Sequence, residues 1–192
     1  MKNLLFGLIA TIVFGFAGNA QSLGDIGADK DLVKYLRAEY TFLKKCNNPE
    51  LVKKINADGV VEESERSEFY SAFNTNENDY RAFISSQRAL MNGLETKYSL
   101  SRFSAVELSE ILEPELTIIY EPVIVTLGTT CASRYFAGLV VAAGGAYAGH
   151  MACMPAHATI LGGLLCHAVV LAVQAAANHL ILGEYEDCMA GR

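Results

Sequence analysis

From Tyr135 to Gly183 the sequence contains no Asp, Glu, Lys or Arg, an uncharged run of 49 residues. Such a run excludes an ordinary solvent-facing helical surface, because it leaves no charged face to turn toward water. It is long enough for two membrane-crossing helices of about 20 residues each. Positive charge is scarce elsewhere too. Residues 21–130 carry 12 Lys/Arg against 18 Asp/Glu, and residues 131–192 carry only Arg134 and Arg192 against Glu184, Glu186 and Asp187. That balance excludes nucleic acid as a partner, since a phosphate backbone demands a basic patch. The near-neutral tail also lacks the cationic face of peptides drawn to anionic lipid, so any membrane affinity has to be mainly hydrophobic. There is no nucleophile elbow, phosphate loop or paired acid–base motif, and nothing argues for an enzyme or a cofactor.

What is present starts at the N-terminus. Lys2, an apolar run from Leu4 to Phe16 and then Gly18-Asn19-Ala20 make a positive n-region, an h-region and a small-residue cleavage site. This reads as a secretory signal peptide over residues 1–20, the run being short for a spanning anchor. Export places the cysteines where disulfides persist. Four of the five, Cys131, Cys153, Cys166 and Cys188, frame or lie inside the uncharged tract, and Cys46 stands apart.

Four cysteines allow three connectivities. Cys131 and Cys188 share a sequence midpoint, between 159 and 160, with Cys153 and Cys166. An antiparallel helical hairpin turning near Pro155–Thr159 would therefore bring both pairs together as two rungs. Each arm between rungs is 22 residues, about 33 Å of helix against a hydrocarbon core of about 30 Å. Alternatively, Gly149 ends the first arm early, which moves the turn toward residue 152 and spoils that register. Gly145 and Gly149 form a GxxxG, and Ala168, Ala172 and Ala176 form a small-residue ridge on the other arm. This spacing lets helices approach closely in lipid, and predicts that the glycine groove receives the alanine ridge.

The acidic region 21–112 reads as short helices, so the expected fold class is all-α. Asp29 caps a first helix with Leu32, Leu36, Tyr40 and Leu43 at helical spacing. Asn48-Pro49 starts a second. Val61–Phe73 and Tyr80–Leu94 continue as amphipathic helices around an Asn74–Asn78 loop, and Ser104–Leu112 adds another. Two Glu-Pro steps and a β-branched stretch make residues 113–130 an extended linker and processing region. The domains expected are thus a signal peptide (1–20), a pro-region (21–112), a linker (113–130) and a Cys-framed hairpin (131–192).

Two weaker constellations are present. Residues 56–65 match the later part of an EF-hand loop, but Lys54 stands where the first carboxylate ligand is needed. His150, Cys153 and His157, with Cys166-His167, have ligand-like spacing. Pro155 interrupts the helix that would align them, and export favours oxidised cysteines, so no metal is expected. His167 and His179 read as polar points on apolar helices that could tune insertion with pH.

The layout resembles the precursors of the sporulation-delaying-protein toxins. The suggestive stretches are Asn48–Asn56, Glu68–Phe73 and the segment from Cys131 that contains Val140–Tyr147. That family's toxin segment has two nearby cysteines, whereas Cys131 is next followed by Cys153, so the disulfide pattern differs. The resemblance implies a secreted precursor whose released hydrophobic peptide enters the lipid bilayer of a competitor and collapses its proton gradient. It also implies a processing protease and a membrane immunity protein in the producer. The alternative is an unprocessed envelope protein with the hairpin as membrane anchor or buried core.

Overall fold

A computed structural model describes residues 26–124 and 130–191. The expected signal peptide (1–20) lies outside the described residues, as do residues 21–25, 125–129 and 192. Among those described there are seven α-helices and no strand: α1 (Lys30–Leu43), α2 (Pro49–Asp58), α3 (Arg66–Ala72), α4 (Glu77–Tyr98), α5 (Ala105–Ile124), α6 (Thr130–Ala152) and α7 (Ile160–Met189).

Local chemistry sets the helix ends. The Asp29 side chain accepts from Asp31 N–H at 2.8 Å to start α1. Asn48 accepts from Leu51 N–H at 3.1 Å with Pro49 in the first turn of α2, and Asn76 accepts from Asp79 N–H at 3.0 Å to start α4. Ser104 and Glu107 satisfy each other's backbone N–H groups at the head of α5, a capping box. Gly59, at φ +66°, closes α2 in the left-handed conformation that a Cβ would oppose.

The expected extended linker over residues 113–130 is corrected for residues 113–124. The α5 helix continues through Pro114 and Pro122 to Ile124, although an interior proline costs about 3 kcal/mol of helix propensity. Burial outweighs that cost. Leu108, Ile111, Leu112 and Leu116 form a stripe packed on Leu139, Val140, Ala143 and Tyr147 of α6. Each such fully buried side chain contributes about 1.5–3 kcal/mol. Thr117 Oγ1 also donates to the Glu113 carbonyl at 2.8 Å.

The core has two parts, and the hairpin contributes one arm to each. In the first, Tyr35, Leu36, Met91 and Leu94 join the α5 stripe and α6. In the second, Phe42, Phe69, Phe73 and Tyr80 form an aromatic cluster with Leu51, Val52 and Ile55 of α2, and this cluster covers Leu164, Ala168, Leu171, Ala172, Ala175 and Ala176 of α7. The Tyr80 hydroxyl donates to the Leu164 carbonyl at 3.1 Å across that boundary. The acidic region and the hairpin thus share their hydrophobic cores.

Candidate functional site: a stapled hairpin and its sheath

The chain turns through a short 3-10 segment, Met154–Ala158, between α6 and α7. The Thr159 hydroxyl caps α7 by accepting from Gly162 N–H at 3.1 Å. Gly149 does not end α6, which continues to Ala152. Cys131 is bonded to Cys188 and Cys153 to Cys166, with Cα–Cα distances of 5.9 and 5.6 Å.

Two glycine contacts share the midpoint of those rungs. A Cβ on Gly138 would lie 3.1 Å from Ile181 Cγ1, and one on Gly149 would lie 3.1 Å from Val170 Cγ2. The pairs 131/188, 138/181, 149/170 and 153/166 therefore hold a single antiparallel register along the hairpin.

The predicted groove and ridge need correction. Gly149 meets Val170, whereas a Cβ on Gly145 would touch nothing within 4 Å. The neighbouring Gly144 does the close packing instead, against α5: its Cβ would lie 2.2 Å from Ser109 Oγ and 2.7 Å from the Ala105 carbonyl oxygen. Ala168, Ala172 and Ala176 face α2 and the aromatic cluster, not a glycine groove. The reason is that each arm has two neighbours. The α6 helix meets both α5 and α7, and its glycines divide between those contacts, with Gly145 left facing outward. The small face of α7 lets the acidic region come close.

Both arms are long and apolar enough to cross a membrane, yet only 44% and 50% of their most apolar windows are buried. Val141 (65% exposed), Ile160 (69%) and Leu180 (59%) remain open on the uncovered side. A cavity of about 230 Å³ opens where α1 meets both arms, lined by Tyr40, Leu43, Cys46, Tyr135, His179 and Leu182 among others. Cys46 is the one free cysteine among the described residues, and burial pushes its thiol pKa up against a weaker opposing hydrogen bond at Asn48.

A polar chain runs through the apolar interior where α1, α6, α7 and the turn meet. Glu39 Oε1 lies 3.0 Å from His150 Nε2, His150 Nδ1 lies 2.6 Å from His167 Nδ1, and His167 Nε2 lies 2.9 Å from His157 Nε2. Glu39 is 2% exposed and His167 1%. Tyr35 packs edge-on against both His150 and Tyr147. Burial, and after it the neighbouring Glu39 charge, hold the Tyr35 phenol well above its usual pKa.

The metal-like spacing of His150, Cys153, His157, Cys166 and His167 resolves into this chain and a disulfide. The disulfide removes both sulfurs as ligands. His167 spends its two nitrogens on different neighbours, so three donors do not converge, and no group of three among the described residues could hold an ion. The other constellation, the EF-hand-like stretch, forms the end of α2 and a capped turn in which Lys54 pairs with Glu65.

Sequence reasoning missed Glu39 as the partner of the histidines. Its signal was available: with Leu32, Tyr35, Leu36, Phe42 and Leu43 it lies on the buried stripe of α1, where a carboxylate requires a buried partner.

No protein-family model, curated protein or solved structure matches this chain.

Proposed function

We propose that the chain is a secreted precursor of a hydrophobic antimicrobial peptide. In this reading the acidic region sheathes a disulfide-stapled hairpin until processing frees it to insert into and depolarise bacterial membranes. The observation that carries the reading is the construction of the hairpin. Two arms of membrane-spanning length are held in one register by their own disulfides and glycine contacts, while the acidic region contributes complementary faces to both. A segment with its own staples can keep its shape after its cover leaves. The resemblance to the sporulation-delaying-protein toxin precursors supports the same reading, and it supplies the expectations of a processing protease and of a membrane immunity protein in the producer.

The test has two parts. Mass spectrometry of culture fluid should find a hydrophobic fragment that contains both disulfides. An oxidised 131–192 peptide should depolarise bacterial membranes and leak ions from vesicles, whereas the 21–130 fragment should do neither. A peptide inert on vesicles and on a broad panel of cells, with only the chain from Gln21 in the medium, would sink the proposal.

A second reading, an unprocessed envelope protein with the hairpin as its core, is favoured by the buried contact from Glu39 to His150 across the sheath boundary. It expects intact chain and no fragment.

A further inference from the structure

Both ring nitrogens of His150 and of His167 are committed to neighbours. Glu39, His150, His167 and His157 form one unbranched row, joined in that order at 3.0, 2.6 and 2.9 Å. One end, Glu39, is 2% exposed. The other end, His157, is half-buried on the turn and is the member that solvent reaches. Its ring lies against α7 because residue 163 is glycine, an unfavourable residue inside a helix. A Cβ there would collide with His157 at Nδ1, Cε1 and Cγ.

Imidazole accepts on one nitrogen and donates on the other, which is what the transfer of a proton along a row requires. In the neutral row each link holds one hydrogen, assigned here from the network. His157 Nε2–H donates to His167 Nε2, His167 Nδ1–H donates to His150 Nδ1, and His150 Nε2–H donates to Glu39. His157 Nδ1 is the one ring nitrogen outside the links. When it takes a proton, the Nε2 hydrogen of His157 crosses to His167 Nε2, and the Nδ1 hydrogen of His167 crosses to His150 Nδ1. Each link again holds one hydrogen. His157 and His167 are then neutral with inverted tautomers, and the added proton sits on His150 beside Glu39. No link breaks and no ring turns.

The surrounding charges set where that proton rests. Arg88, on α4, places a positive charge beside His157 and His167, whereas His150 faces the Glu39 carboxylate of α1. An opposite charge in contact favours the protonated ring and a like charge disfavours it. The other titratable side chains here are the buried phenols Tyr35 of α1 and Tyr147 of α6. The adjacent Cys153–Cys166 pair is a disulfide and does not titrate.

We propose that this row is a proton relay, which carries a proton from solvent at the turn to the buried Glu39–His150 pair while the helices stay packed. Chains of acidic and histidine side chains in the apolar interiors of pumps and transporters serve as such relays. Glu39 comes from the acidic region, so the relay belongs to the uncleaved chain. It goes beyond the toxin function and stands whether or not a peptide is released.

The experiment is NMR of the full-length oxidised protein with nitrogen-15 in its histidines, titrated across the histidine and carboxylate range. His150 Nδ1 should gain a hydrogen, and His167 and His157 should invert their tautomers at the same midpoint while staying neutral. The rate of uptake, read by relaxation dispersion at that midpoint, should fall at least about tenfold in His157→Phe. That variant keeps a ring on Gly163 but has no nitrogen to receive the proton. Uptake then waits for the interior to open, and one broken buried hydrogen bond is a factor of about ten. His179→Gln, outside the row, should keep the wild-type rate. The relay is overturned by a row unchanged until the protein unfolds, by a proton that rests on His167 or His157, or by an undiminished rate in folded His157→Phe. Equal slowing in His179→Gln overturns it too. Should His157→Phe fail to fold, the wild-type tautomers decide alone. Vesicle leakage by the oxidised 131–192 peptide bears only on the toxin function, because that peptide lacks Glu39.

Discussion

Gly144 and Gly145 are adjacent on α6 and give opposite outcomes when each is replaced by alanine. A methyl at Gly145 meets nothing within 4 Å, so the change should stabilise the protein by about 1 kcal/mol, the helix-propensity difference between Gly and Ala. A methyl at Gly144 would lie 2.7 Å from the Ala105 carbonyl oxygen and 2.9 Å from Ser109 N. Ser109 Oγ can rotate away, but those backbone atoms cannot. The α5 helix must therefore shift by several tenths of an ångström along its whole packed stripe. Overpacking of this kind costs about 3 kcal/mol at the upper end of its range. Propensity returns about 1, so Gly144→Ala should lose about 2 kcal/mol. The two variants should then differ by about 3 kcal/mol in urea unfolding of the full-length oxidised protein. The same pair in the isolated 131–192 peptide should differ little, because α5 is absent. The clash belongs to the sheath and not to the hairpin. Equal urea midpoints in the full chain would refute the close α5–α6 approach. A large difference in the isolated peptide would show that Gly144 serves the hairpin instead.

Removing the outer disulfide with Cys131→Ser and Cys188→Ser should destabilise the full chain by about 1 kcal/mol more than removing the inner one, since the closed segments span 57 and 13 residues; equal losses in thermal or urea unfolding would contradict the loop-entropy account. Ala172→Leu overfills the contact between α7 and α2, where Ala172 is fully buried, and should cost the full chain about 1–3 kcal/mol; vesicle leakage by the oxidised hairpin peptide should survive the same change. Gly149→Leu drives a side chain into Val170 and should instead reduce leakage without reducing vesicle binding, measured by flotation. Burial raises the Asp29 pKa, but hydrogen bonds from Lys97, Tyr98 and the Asp31 N–H outweigh it and hold the group at about 2. The stability it contributes is therefore present above pH 4 and lost as pH falls toward 2, and Asp29→Asn, which keeps a capping oxygen, should flatten urea midpoints between those values.

The composition and periodicity of this chain determine a helical protein, its main helix starts and a disulfide-compatible hairpin. The caps at Asp29, Asn48 and Asn76 are local, and the cysteine midpoint is arithmetic on an antiparallel pair. Gly138 and Gly149 stand 7 and 18 residues from Cys131, about two and five helical turns, so the sequence alone places both near the seam. Three things were decided only by tertiary structure. Residues 113–124 are helical against the preference of their prolines, because the stripe from Leu108 to Leu116 finds α6 to pack on. Gly144, Gly145 and the alanine ridge look equivalent as small residues, and only the number and direction of neighbouring helices tell which of them face α5, which face α2 and the aromatic cluster, and which face outward. Glu39 joins His150 across 111 residues of sequence. Local patterns carry propensity and face, which are properties of one helix, whereas the pairing of buried polar groups depends on which faces meet, and that is settled only when the whole chain closes on itself.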